Sequence, residues 1–120
     1  MYGLSPDIDL DFLNGREVIQ IAIGLFQVQF AFDADVRISV QSEFCYYDGN
    51  YELTWKPEPN GAATAASTVT LLGATVTNFT AERDGTLAVA FSNGQKLTIR
   101  DNSKQYESYS ITAPGRNIYV

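Results

Sequence analysis

The segment Thr86–Ile99, which reads TLAVAFSNGQKLTI, predicts a β-hairpin. Apolar residues occupy every second position before the turn and again after it. A two-residue Asn-Gly loop would place apolar side chains opposite polar ones. A three-residue loop, residues 92–94, instead places Val89 opposite Leu97. The predicted hairpin therefore has one continuous apolar face, with Gly94 as the left-handed residue of its loop.

A hairpin with the same register is predicted in the first half of the chain. Its loop is Asp33-Ala34-Asp35, which brings Phe30 opposite Ile38 and Val28 opposite Val40. Aspartate is one of the better non-glycine residues for the left-handed position of such a loop. The two hairpins are 59 residues apart (89 − 30 = 59), and this spacing indicates an internal repeat.

Further matches extend the repeat beyond the hairpins. Leu13–Val18 resembles Leu71–Val76 at an offset of 58 (73 − 15 = 58), and Phe44 matches Tyr109 at an offset of 65 (109 − 44 = 65). The change from 59 to 65 implies an insertion of six residues around residues 102–106. We therefore predict a single domain, residues 1–120. It contains pseudo-repeats at about 9–47 and 60–111, joined by a linker at about 48–59.

Each pseudo-repeat shows the same order of predicted elements: a helical stretch closed by glycine, a strand, the hairpin and a last strand. The helical stretch is about one turn in the first copy. In the second copy it is one short helix near residues 60–72, with its alanines on one face. The last strands are predicted at 43–47 and 107–111. The predicted fold is mainly β, an antiparallel β-sandwich or roll of about eight strands.

The charge balance bears on the class of partner. Fourteen acidic and eight basic residues give a net charge of −6. This balance argues against binding to a nucleic acid polymer or to an anionic membrane surface. The negative charge either keeps the protein soluble or attracts a basic protein partner. The single cysteine, Cys45, cannot form an internal disulfide, and the chain starts without a signal-peptide pattern. We expect a cytoplasmic protein.

Catalytic chemistry finds little support in the composition. The chain has no histidine, which removes the commonest general base and the commonest metal ligand. The alternating Asp7, Asp9 and Asp11 lack the glycine and the closing acidic residue of a calcium loop. We therefore expect a non-catalytic protein without a cofactor or a metal.

Several segments resemble a family of small bacterial β-rich proteins that is catalogued only as a domain of unknown function. These segments are Leu13–Gln20, Gly24–Phe30, Leu71–Gly73, Asp84–Leu87 and Tyr106–Ile111. The resemblance covers residues from about 10 to 111 and implies a self-contained domain of bacterial or phage origin. It implies no activity.

The predicted linker offers the first candidate surface. The segment Cys45–Pro57 holds three of the seven tyrosines and the only tryptophan, and such side chains are enriched where proteins meet. Tyr47, Asp48, Tyr51 and Trp55 are the candidates. The first hypothesis is a small acidic inhibitor or immunity-type protein that binds a basic protein through this surface. Trp55 can equally well close one end of the core.

The second hypothesis is a binder of a small nucleotide signal in bacterial or phage conflict. Arg16, Arg37 and Arg83 would contact the phosphates, and Tyr47 or Trp55 would stack on the base. A homodimer is one way to frame such pockets at the seams between repeats.

Glu107 carries two further interpretations. Strand alternation would turn its side chain inward together with Tyr109 and Ile111. It would then either pair with Arg16 or Arg37 to fix the register, or read a ligand in a pocket.

Overall fold

Two antiparallel sheets of five strands each form the framework of the computed structural model, which describes residues 2–120. The strands are β1 Val18–Ile23, β2 Val28–Phe32, β3 Val36–Val40, β4 Glu43–Tyr47, β5 Glu52–Trp55, β6 Val76–Ala81, β7 Leu87–Phe91, β8 Lys96–Arg100, β9 Tyr109–Ala113 and β10 Arg116–Tyr119. The first sheet has the order β1-β2-β3-β9-β10, and the second has the order β5-β4-β8-β7-β6. The helical segments are a 3-10 turn, Asp11–Leu13, and the helix α1, Gly61–Ala66, which continues as a 3-10 segment, Ser67–Leu71.

The predicted fold class is confirmed: mainly β, sandwich-like, with one short helical segment at residues 61–71. Ten strands are present in the described residues, where the sequence suggested about eight. The two additional strands are β5, in the predicted linker, and β10, after the second pseudo-repeat. Each pairs antiparallel with the strand before it and extends the edge of a sheet.

Both predicted hairpins have the predicted register. Val89 lies opposite Leu97 in the second hairpin, and Phe30 lies opposite Ile38 in the first. Gly94 has a φ of 83°, as the loop requires. In the first loop both Ala34 and Asp35 adopt the left-handed conformation, with φ values of 58° and 59°. That loop therefore retains backbone strain that the glycine of the second loop avoids.

The last strand of each half pairs with the other half. β4 pairs with β8, with Phe44 opposite Ile99, and β9 pairs with β3, with Ile111 opposite Ile38. Each sheet therefore contains strands from both halves of the chain. This exchange interlocks the halves, because neither sheet is complete without a strand from the other half.

The two halves also meet through equivalent residues. The Gly15 N–H donates to the Val76 carbonyl at 2.9 Å, and the Gly73 N–H donates to the Val18 carbonyl at 2.9 Å. The offset of 58 relates the donors of the two bonds, Gly15 and Gly73, and also their acceptors, Val18 and Val76 (73 − 15 = 58; 76 − 18 = 58). β1 and β6 each carry a bulge at the corresponding position, after Val18 and after Val76. Residues that correspond in this way are called equivalent below.

The core lies between the sheets and includes an aromatic cluster. Phe44 contacts Phe30 edge to face at 5.5 Å and stacks on Trp55 at 5.3 Å between ring centroids. The helix α1 packs directly on this cluster, because a Cβ atom added at Gly61 would lie 3.0 Å from Nε1 of Trp55. Among residues 2–120, no helix is long and apolar enough to cross a membrane.

Candidate binding surfaces

The β4–β5 turn is closed by side-chain hydrogen bonds and exposes one tyrosine. The Asp48 carboxylate accepts hydrogen bonds from the N–H groups of Tyr51 at 2.7 Å and Asn50 at 2.8 Å. These bonds lower the pKa of Asp48 below its usual value. The Tyr47 hydroxyl donates to the Gly49 carbonyl at 2.8 Å. Tyr51 is 75% exposed, so the turn holds out a large aromatic side chain toward solvent.

Trp55 does not share this surface. Its side chain is 1% exposed and stacks on Phe44 in the core. Of the two interpretations open from the sequence, the structure therefore places Trp55 in the core. The candidate surface in this region is reduced to Tyr47, Asp48 and Tyr51.

The three arginines proposed for phosphate binding lie apart. Arg16 is 3.5 Å from the Asp33 carboxylate, beside the β2–β3 loop. Arg37 is exposed on β3, opposite Ala31 and Thr112. Arg83 is exposed in the β6–β7 turn. No single phosphate site of the described chain collects all three.

Glu107 lies just before β9 and is half-buried. The strand begins at Tyr109, so the alternation that would turn Glu107 inward does not reach it. Within residues 2–120, Glu107 forms no ion pair with Arg16 or Arg37.

A recess of about 480 Å³ does bring two arginines together. This arginine recess is lined in part by Phe12, Arg16 and Arg116. Arg116 donates to the Asp9 carbonyl at 2.8 Å, and its guanidinium group lies 5.1 Å over the Phe12 ring. The Nε atom of Arg16 is buried and has no hydrogen-bond partner in the described chain. The sequence does not mark Arg116 as a candidate binding residue, because it does not predict β10.

A second recess, of about 640 Å³, lies at the end of the first sheet where β1 turns into β2. Its lining is Gly24, Leu25, Phe26, Gln27, Gln41, Pro57 and Tyr106, and it includes no charged residue. Leu25 is 60% exposed, Phe26 is 69% exposed and Tyr106 is 55% exposed. This apolar recess therefore combines concave shape with large apolar side chains in contact with solvent.

The equivalent turn in the second half has a different surface. Where the β1–β2 turn carries Leu25 and Phe26, the β6–β7 turn carries Arg83 and Asp84. The Asp84 carboxylate accepts the Thr86 N–H at 2.9 Å, and this bond lowers the pKa of Asp84. The turn of the second half, one residue longer, is therefore charged where the turn of the first half is apolar.

Sequence reasoning missed the apolar recess although one signal was present. Two large apolar residues follow Gly24 at a hairpin turn, where polar residues are usual. Tyr106 comes from the predicted insertion of the second pseudo-repeat. The recess therefore forms where features that are not shared by the two halves meet.

Clusters of reactive groups are not found in the described residues. Within residues 2–120, no three His, Cys, Asp or Glu side chains are close enough together to hold a metal ion. Cys45 is buried on β4, 3.5 Å from the Thr54 hydroxyl.

The fold and these surfaces define a mainly β domain with two interlocked sheets and an apolar recess at one end. The chain belongs to DUF6188, described as a family of unknown function, whose model matches residues 10–120. This match confirms the resemblance to a β-rich family of unknown function. Comparison with curated proteins and with solved structures finds no match.

Proposed function

We propose that the chain is a non-catalytic protein-binding domain and that the apolar recess is its recognition surface. The observation that carries this proposal is the exposure of Leu25, Phe26 and Tyr106 around one concavity. Contiguous exposed apolar side chains mark interaction sites in soluble proteins, and aromatic residues supply a large share of interface hot spots.

The lining of the recess favours a polypeptide over a nucleotide. No arginine or lysine lines it, so it offers no cation to a phosphate group. Gln27 and Gln41, whose side chains are 3.4 Å apart, provide polar amide groups beside the apolar ones. Apolar contacts with a few uncharged hydrogen-bonding groups fit an apolar side chain and the backbone of a partner protein.

The net charge of −6 supports the inhibitor or immunity form of this proposal, in which the domain covers a basic partner. The exposed Glu58, which follows the recess residue Pro57 in the chain, would then face the basic partner. Attraction of this kind raises the association rate and weakens as salt is added.

Phe26→Ser is expected to weaken partner binding at least tenfold, because truncating an aromatic hot spot removes apolar contact at the centre of an interface. The tagged chain is used to isolate a stoichiometric partner from a lysate of its source cells. The dissociation constant is then measured with the purified partner by calorimetry. Asp84→Ser is the matched control, since it changes the equivalent turn of the second half.

The comparison of variants decides between the two candidate surfaces. Weakening by Phe26→Ser, with Tyr51→Ala and Asp84→Ser unchanged, supports the apolar recess. Weakening by Tyr51→Ala alone assigns binding to the β4–β5 turn. A partner that binds all three variants as tightly as the original chain contradicts the proposal.

The arginine recess supports a second candidate function, the binding of a small anionic ligand. The supporting observation is the buried Nε atom of Arg16, which has no hydrogen-bond partner in the described chain, close to Arg116 and the Phe12 ring. A planar ligand with a phosphate or carboxylate group could use both arginines.

A nucleotide bound in the arginine recess should raise the melting temperature by several degrees when its concentration is about 100 times the dissociation constant. Thermal unfolding with cyclic nucleotides and ADP-ribose tests this, with Arg116→Ala expected to abolish the shift. Unchanged melting across the panel at millimolar ligand contradicts the nucleotide hypothesis.

A further inference from the structure

The strand β1 has an unpaired backbone edge. At its start, the Val18 N–H donates to the Ala74 carbonyl at 2.9 Å and the Val18 carbonyl accepts the Gly73 N–H. Beyond Val18, β1 pairs with β2 alone in the described chain, from Gln20 to Ile23. The Gly24 N–H points toward β2, so by antiparallel alternation the backbone groups of Ile21 and Ile23 point away from it. The open edge ends at the turn closed by the bond from the Gly24 N–H to the Gln27 carbonyl at 2.8 Å.

This open edge lacks most of the devices that keep edge strands from pairing with other chains. Residues 18–32 contain no charged residue and no proline. Ile19 is 58% exposed and Ile23 is 38% exposed. Two protective features are present: the bulge after Val18 lies at the start of the edge, and α1 and the 3-10 segment Ser67–Leu71 pack beside β1.

The equivalent strand β6 has a less apolar edge. It carries Thr77 and Ala81 where β1 carries Ile19 and Ile23 (19 + 58 = 77; 23 + 58 = 81). The N-terminal segment also contacts the turn beyond β6, where the Leu4 N–H donates to the Arg83 carbonyl at 3.3 Å. The isoleucines exposed on β1 are therefore not repeated on its equivalent β6.

The sequence of the open edge is complementary to itself. Residues 19–23 read Ile-Gln-Ile-Ala-Ile, so isoleucine occupies both ends and the centre. In an antiparallel pair centred on Ile21, Ile19 of one chain lies opposite Ile23 of the other, and Gln20 lies opposite Ala22. Equivalent contacts on both chains are the requirement of a twofold dimer.

We propose that two copies of the chain associate through antiparallel pairing of β1 with β1. The two first sheets would join into one sheet of ten strands (5 + 5 = 10). Apolar side chains would pair on one face across the dimer axis, and the unpaired N–H and C=O groups of Ile21 and Ile23 would become hydrogen-bonded.

Charge does not oppose this contact locally. Each chain carries a net charge of −6, but residues 18–32 contribute none of it. Like charges therefore repel only at a distance, where salt screens them. The dimer is expected to strengthen modestly with added salt, whereas the binding of a basic partner should weaken.

The dimer leaves both apolar recesses accessible. Leu25 follows the central residue Ile21 by four positions, so it lies about 13 Å from the dimer axis at ~3.3 Å per residue. The two recesses would lie on opposite sides of the axis. The dimer therefore stands independently of the proposed function, and it would present two recognition sites at once.

The expected affinity is modest, because pairing of one short strand buries less area than a standard stable interface. Sedimentation velocity across about 1 to 500 µM should show a monomer–dimer equilibrium. The double variant Ile19→Lys/Ile23→Lys should stay monomeric, with the dissociation constant raised at least tenfold. The double variant Thr77→Lys/Ala81→Lys, its equivalent in β6, should dimerise like the original chain.

Hydrogen exchange provides a second readout on the unmodified chain. Amide protons of Ile21 and Ile23, which face the open edge, should exchange more slowly in concentrated than in dilute protein, while those of the equivalent Phe79 and Ala81 should not change. A chain that stays monomeric throughout, or a dimer that persists in the Ile19→Lys/Ile23→Lys variant, overturns the proposal. Dimer loss in Phe26→Ser with retention in the Ile19→Lys/Ile23→Lys variant also overturns it, because the apolar recess would then be the contact.

Discussion

Trp55→Ala is expected to lower the free energy of unfolding by about 3–5 kcal/mol, the usual cost of truncating a large buried aromatic side chain. Trp55 is 1% exposed and stacks on Phe44 at 5.3 Å. The Trp55 indole also packs against Gly61 at the start of α1, so closely that no side chain fits at position 61. The substitution would therefore open a cavity and remove the support of the helix.

Urea unfolding followed by circular dichroism measures this effect. The variant lacks the only tryptophan, so tryptophan fluorescence cannot be used. Tyr51→Ala is the control, because Tyr51 is 75% exposed and its truncation should change stability by less than about 0.5 kcal/mol. A loss below 1 kcal/mol for Trp55→Ala, about the size expected at a surface, would contradict the placement of Trp55 in the core.

The prediction at Trp55 illustrates what the sequence could and could not decide. Composition marks tyrosine and tryptophan as candidates for an interface, but it does not separate an exposed ring from a buried one. The difference lies in pairing: β5 places Trp55 opposite Phe44, a core residue of β4. The sequence predicts a linker at these residues and no strand, so it does not predict the pairing of Trp55 with Phe44.

The hairpins were predictable because their information is local. The period-two pattern and the loop length together allow one register in which both apolar faces agree. The register of Val89 with Leu97 follows from those constraints alone, and it is the observed one.

The exchange of the last strands was not predictable in the same way. β4 and β9 have similar apolar patterns, and either could pair with β3 or β8 without turning a polar side chain inward. Alternation fixes which face of a strand is buried, but it does not fix the neighbour. The choice depends on the crossovers between strands, such as residues 101–108, whose path the pattern does not determine.

The candidate surfaces depended on contacts between distant parts of the chain. The apolar recess joins the β1–β2 turn to Tyr106, and the arginine recess joins Arg16 to Arg116. Residue type alone marks Arg16, Arg37 and Arg83 as candidates, but they lie before β1, on β3 and in the β6–β7 turn. Equivalent strands of the two halves have the same hairpin registers but expose different side chains, such as Ile19 on β1 and Thr77 on β6.

Tyr109 is expected to make the stability of the protein fall in alkaline solution. Its side chain is fully buried, and its hydroxyl donates to the Gly85 carbonyl at 2.7 Å. Burial raises the pKa of Tyr109 well above its usual value, and the negative charge of Asp84 raises it further. The folded state therefore retains this proton at pH values where the unfolded chain, with a tyrosine pKa of about 10, releases it.

This difference fixes the sign of the pH dependence. The stabilisation is fully present below pH ~10 and is lost above it, by up to about 1.4 kcal/mol for each further pH unit. Tyr109→Phe should cost about 1–2 kcal/mol at pH 8, because the Gly85 carbonyl loses its donor. The variant has no proton to lose at this position, so its stability should fall less steeply above pH 10.

The stability curves of the two proteins should therefore converge and cross near pH ~11. Urea unfolding at intervals from pH 8 to pH 11.5 measures both curves, and the difference between them cancels the contributions of the other tyrosines and lysines. A difference that stays constant over this range would mean that Tyr109 ionises with the same pKa in the folded and unfolded states. Such a result would contradict the burial of its hydroxyl against Gly85, and with it the close packing of β9 on the β6–β7 turn.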